Sequence, residues 1–118
     1  MILWITGNSG AGKTTLAERL VSRNTIILDG NLLRQVWPGL GFGWSDRREQ
    51  ALRVARLARM LEDQGFAVIV AVICPYEKVR KEVEIICKCK WIYVPGGETS
   101  KEFPYEVPLL PDIEVVKR

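Results

Sequence analysis

The tightest constraint on this chain lies in residues 2–21, where an apolar run, a glycine loop and an amphipathic segment follow one another. Ile2-Leu3-Trp4-Ile5 reads as a short buried strand. Gly7-Asn8-Ser9-Gly10-Ala11-Gly12-Lys13-Thr14 fills every fixed position of G-x-x-x-x-G-K-[ST], the phosphate-binding P-loop. Thr15 to Val21 then sets Leu16, Leu20 and Val21 on one helical face. Strand, loop and helix in this order make an anion cradle. The glycines let the backbone curl so that its N–H groups point inward, and the helix N-terminus adds about half a positive charge. Lys13 then reaches the outer phosphates and the Thr14 hydroxyl ligates magnesium. The run Gly7, Asn8, Ser9, Gly10, Ala11, Gly12, Lys13, Thr14 and Thr15 is therefore assigned to a nucleoside triphosphate, with Thr14 as the metal ligand.

Further along, Thr25 to Leu28 predicts a second strand ending at Asp29-Gly30, and Leu32 to Val36 a helical turn. Residues 37–44 (WPGLGFGW) hold three glycines, a proline and three aromatics, which suit either stacking on a base or stapling the loop to the core. A helix begins at Ser45 or Asp46; Asp46 fits as its cap because Glu49 then sits at the third helical position. It runs to about Gln64, with Ala51, Val54, Ala55, Ala58 and Leu61 inward and Arg48, Arg53, Arg56 and Arg59 on a solvated face. Phe66 to Ile73 is a nearly all-apolar strand, as expected where both faces are covered. Cys74-Pro75-Tyr76 forms a turn, Glu77 to Cys87 a helix with Val79, Val83 and Ile86 inward, Trp91 to Val94 a strand, and Ile113 to Val116 a final short strand. Strands alternating with helices predict a three-layer α/β P-loop NTPase fold of nucleoside-kinase type with a five-stranded, mostly parallel sheet. Residues 1–118 are read as a single domain. Ligands of such sheets sit beyond the strand carboxyl ends, which gathers residues 7–15, Asp29 and Cys74 to Tyr76 around one cleft.

Composition narrows the partners. A net charge of +3 suits a small anionic substrate and shows no clustered basic stripe for nucleic acid. No apolar run reaches transmembrane length and no leader precedes the first strand, so no membrane role is expected. The three cysteines, Cys74, Cys87 and Cys89, fit a reducing compartment, and the cytoplasm is the expected location. Cys87 and Cys89 form C-x-C, but with no histidine in the chain ordinary thiols are expected rather than a zinc site.

The base-reading N/T-K-x-D of regulatory GTPases is absent, and the apolar strand 66–73 leads into Cys-Pro-Tyr where motor ATPases carry an acidic pair. A small kinase remains, with Lys13 and Asp29 as catalytic residues: Asp29 orients an acceptor hydroxyl or a magnesium-bound water. The alternative for Asp29 is a plain cap of the turn that follows.

Five segments, in order, resemble adenylylsulfate kinases: 4–17 (WITGNSGAGKTTLA), 27–34 (ILDGNLLR), 40–50 (LGFGWSDRREQ), 68–76 (VIVAVICPY) and 103–108 (FPYEVP). The resemblance implies an enzyme of sulfate assimilation that transfers phosphate from ATP, with Mg2+, to the 3′-hydroxyl of adenosine 5′-phosphosulfate. It implies that Arg34 and Arg47 hold the phosphosulfate, that Phe42 stacks on the adenine, and that Gln50 stands where the family has Asn. It also suggests a homodimer. The sequence departs from the family at Asn31 and Leu32 in the D-G-D-N pattern, at Cys74 in place of Ser, and between Val94 and Phe103, where the family carries a long basic lid and this chain has residues 95–102 with Lys101 as the one cation. A same-fold kinase with another small alcohol or nucleotide acceptor, and a nucleotide-binding module without catalysis, stay open as alternatives.

Overall fold

The computed structural model describes residues 1–97, 99–101, 104–109 and 111–115. Along the chain run β1 (Ile2–Thr6), α1 (Lys13–Leu20), β2 (Thr25–Asp29), α2 (Gly30–Val36), α3 (Trp44–Asp63), β3 (Ala67–Ala71), α4 (Glu77–Ile86), β4 (Lys90–Tyr93) and β5 (Ile113–Glu114). The strands form one sheet in the order β2-β3-β1-β4-β5, and every pairing is parallel. This is the three-layer α/β architecture expected from the alternating pattern. Val116 of the expected last strand and Phe103 of the 103–108 segment lie outside the described residues.

Side chains alternate across each strand, so each sheet face collects its own core. On one face Ile2, Trp4, Val68, Val70 and Val72 pack under α3 and α4; on the other Ile5, Ile69, Ala71, Ile92 and Val94 meet α1. Trp4 is fully buried, donates from Nε1 to the Val72 carbonyl at 3.0 Å, and lies 5.3 Å from the ring of Trp91. Trp4→Ala removes this packing and orphans the carbonyl; a loss of about 3–5 kcal/mol is expected in denaturant titration, and a loss under about 1 kcal/mol would contradict the packing account.

Two local expectations are corrected. Leu20 and Val21 are exposed, and the buried residue of α1 is Ala17, because the helix stops at Leu20 and Val21 is already extended. Helix α3 starts earlier than expected, at Trp44 with Gly43 as its cap, and neither Ser45 nor Asp46 caps it. The Asp46 carboxylate reaches backwards to accept from the Gly41 N–H at 2.9 Å, so it closes the preceding loop instead. The arginine row of α3 is partly paired: Arg48 grips Glu82 of α4 through two hydrogen bonds, and Arg53 meets Glu49 one turn away.

Of the loop aromatics, Trp37 packs on the core, Trp44 pairs with Tyr76 at 6.0 Å, and Phe42 is left 64% exposed. Stapling describes the first; Phe42 is the most exposed of the three rings.

Candidate active site

A cavity of about 350 Å³ opens at the carboxyl ends of β1, β2 and β3. Ser9, Gly10, Gly12, Lys13, Thr14 and Thr15 line its first end. Gly12 caps α1 at φ 102°, a left-handed conformation that a side chain would strain, and so turns the loop into the helix. The rest of the motif stands behind this surface. Gly7 abuts the Val94 carbonyl, Ala11 is buried, and Asn8 is 2% exposed. The Asn8 carbonyl accepts from the Ala11 N–H at 3.1 Å and from Lys13 Nζ at 2.9 Å, which folds the lysine over its own loop.

Asp29 closes the middle of the site. It ends β2, where parallel pairing with β3 carries it to the cavity, and it is 9% exposed. Oδ1 accepts from the N–H groups of Asn31 (2.9 Å) and Leu32 (3.3 Å), capping α2. Oδ2 accepts from the Thr14 hydroxyl at 2.7 Å. The capping reading is thus correct as far as one oxygen goes; the other oxygen joins the P-loop. A hydroxyl has two lone pairs besides its proton. Thr14 can therefore keep Asp29 as acceptor and still offer oxygen to a hard cation, and the pair fits magnesium by donor type.

Arg34, Phe42, Arg47 and Gln50 meet at the far end. Arg34 donates to the carbonyls of Leu40 (3.1 Å) and Gly41 (3.0 Å) and to Gln50 Oε1 (3.3 Å), and its guanidinium lies 4.2 Å from the Phe42 ring centroid. Arg47 is 5% exposed and donates from Nε to the Phe42 carbonyl at 2.7 Å. Gln50 donates to the Gly30 carbonyl at 3.2 Å, tying α3 to the start of α2. Burial and the neighbouring Arg47 hold Arg34 below the ordinary arginine value, and burial does the same to Arg47. Neither forms an ion pair among the described residues. Two half-desolvated guanidiniums facing one space favour an anion between them. Asn31 lines the same cavity, whereas Leu32 points out at 62% exposure.

The floor is the turn after β3. Cys74 sits there at φ 44° and its thiol is pushed up to about 12 by burial, so it stays protonated. Sequence reasoning missed what fixes this turn. Arg80, 2% exposed, donates to the carbonyls of Cys74 and Glu106 and to the Glu77 carboxylate. Glu106 in turn donates its backbone N–H to the Pro75 carbonyl and caps α4 at the Glu77 N–H. Tyr105 OH and Thr6 Oγ1 share a hydrogen bond of 2.7 Å. A signal existed: position 80 falls on the same helical face as Val79 and Val83, and a cation on an apolar face needs partners. No cluster of three metal-binding side chains occurs among the described residues, and Cys74, Cys87 and Cys89 are free thiols. Nor is any described helix long and apolar enough to cross a membrane.

A family model described as adenylylsulphate kinase matches residues 1–95. The chain belongs to the adenylylsulphate kinase family. Among curated relatives, an adenylyl-sulfate kinase of Burkholderia ambifaria is 44% identical over 86 residues, covering 67% of this chain and 48% of its own. One from Geotalea daltonii is 34% identical over 148 residues, covering 98% of this chain and 73% of the relative. A solved hexameric APS kinase from Thiobacillus denitrificans superposes with a TM-score of 0.83 at 29% identity, over 98% of this chain and 25% of that one. The chain thus spans about half the length of the Burkholderia relative. The Geotalea alignment of 148 positions exceeds the 118 residues of this chain by 30, so that family member carries at least that many residues without a counterpart here. The family match ends at residue 95, where the short 95–102 connection begins.

Proposed function

We propose that this chain transfers the γ-phosphoryl group of ATP to the 3′-hydroxyl of adenosine 5′-phosphosulfate. The observation that carries the reading is one cavity with a P-loop at one end, a doubly anion-seeking arginine pair at the other, and Asp29 between them. In this reading the loop N–H groups and Lys13 hold the β- and γ-phosphates, and Arg34 and Arg47 hold the phosphosulfate. Phe42, with Arg34 and Arg47 both against its ring, would stack on the adenine. Thr14 and Asp29 would hold magnesium, which neutralises the charge developing between donor and acceptor. Asp29 orients the acceptor hydroxyl in line with the phosphorus. Residues 1–118 act as one domain, in the cytoplasm on the strength of three free thiols. A homodimer, which the family resemblance suggests, belongs to the same proposal, and sedimentation velocity tests it.

The test is incubation with γ-labelled ATP, magnesium and adenosine 5′-phosphosulfate, with the labelled product resolved chromatographically. Label on the 3′-position of the phosphosulfate supports the assignment; label that never leaves ATP except as free phosphate refutes it. A second reading, a changed acceptor, is favoured by neutral Asn31 in the cavity. It predicts label on another alcohol from a nucleoside and sugar panel, and none on the phosphosulfate. Phe42→Ala should raise the acceptor KM about tenfold, in line with base–aromatic stacking of about 1–3 kcal/mol, and leave the KM for ATP unchanged. Steady-state rates at varied acceptor read this directly, and an unchanged acceptor KM removes Phe42 from the site.

A further inference from the structure

We propose that the connection after β4 latches the P-loop into its phosphate-ready shape, with Gly97 and Thr99 as positioning residues for ATP. The inference rests on the loop binding a triphosphate, but Gly97 and Thr99 lie outside the stretch matched by the family model. Asn8 is the contact point. Its buried amide is oriented at both ends: Oδ1 accepts from the Ser9 N–H at 2.8 Å, and Nδ2 donates to Thr99 Oγ1 at 2.9 Å. The backbone carbonyl of the same residue receives Ala11 N–H and Lys13 Nζ. One residue therefore couples Thr99 to the lysine and to two N–H groups of the loop.

Gly97 makes the second contact. It has φ 75°, and a Cβ built on it would stand 2.5 Å from the Ser9 carbonyl oxygen and 3.1 Å from both the Ala11 nitrogen and the Asn8 carbonyl oxygen. Backbone lies directly on backbone there, with no room for a methyl group. A phosphate cradle works through fixed N–H directions. A loop already held in that geometry loses less freedom on binding, so the latch raises affinity without touching the ligand. Its action falls on the ATP end of the cavity, because Arg34, Arg47 and Gln50 belong to α2 and α3.

The experiment is calorimetric titration of the full chain with magnesium-ATP and, separately, with adenosine 5′-phosphosulfate, for Thr99→Val, Thr99→Ser and Gly97→Ala. Thr99→Val takes away the hydroxyl that accepts from the buried Asn8 Nδ2 and should weaken ATP binding about tenfold; Thr99→Ser restores the hydroxyl and should bind within about twofold of the unaltered chain. Gly97→Ala should weaken ATP by at least as much as the valine variant. Phosphosulfate affinity should hold within about twofold throughout, as expected for an effect confined to one end of the cavity. Thr99→Val binding ATP like the unaltered chain overturns the latch, as does a parallel loss of both ligands. No ATP binding by the unaltered chain overturns the latch and the site assignment together. The Thr99 pair keeps the test decisive should Gly97→Ala fail to fold.

Discussion

Lys13→Ala is expected to lower phosphoryl transfer by about a thousandfold or more, the scale seen when one fixed charge or donor is taken from a transition state. The Lys13 ammonium donates to the Asn8 carbonyl at 2.9 Å. That contact keeps the residue at the cavity end it lines with Ser9, Gly10 and Gly12. Alanine removes the cation while α1 continues from Thr14 with a residue of high helix propensity at its first position. The thermal midpoint should therefore move little. Turnover of the variant at more than about a tenth of the starting rate, with the fold intact, would remove the P-loop from the chemistry.

Asp29→Asn should cost about 10²- to 10⁴-fold in kcat and leave ATP binding nearly unchanged. The substitution discriminates because the two oxygens of Asp29 have different tasks. Asparagine keeps an oxygen for the N–H groups of Asn31 and Leu32, so α2 stays capped. It loses the negative charge and, at the other position, replaces the acceptor of the Thr14 hydroxyl by an NH₂ group. Asn31 sits two residues on and is already neutral, so it supplies no replacement carboxylate. Single-turnover kinetics separate the chemical step from binding, and a variant at full rate would reduce Asp29 to a cap.

What could be read from sequence was local. The P-loop, its flanking strand and helix, and the parallel sheet follow from short windows, because glycine placement, unbroken apolar runs and strands alternating with helices are visible among neighbouring residues. Arg34, Arg47 and Gln50 line one cavity because they ride on α2 and α3, both delivered to the sheet's carboxyl edge; the family resemblance, not a local pattern, singled them out. The misses are of another kind. Asp46 has the residue type of a cap, and a backbone amide five residues earlier outcompeted the helix for it. Leu20 and Val21 satisfied helical spacing, yet both are exposed at the end of α1. Arg80 meeting Glu106, Tyr105 meeting Thr6, and Asn8 meeting Thr99 are contacts between distant parts of the chain. No windowed pattern carries such pairs, since tertiary packing alone brings them together. The fold's outer geometry was therefore more legible than the clamps that hold the floor and back of the site.

The central claim is acceptor-dependent phosphoryl transfer, and the most direct measurement is ADP release from magnesium-ATP with and without adenosine 5′-phosphosulfate, using Lys13→Ala as the blank. The account predicts release that rises with the phosphosulfate, saturates, and disappears in the blank. ATP binding without any stimulation by the phosphosulfate would contradict it.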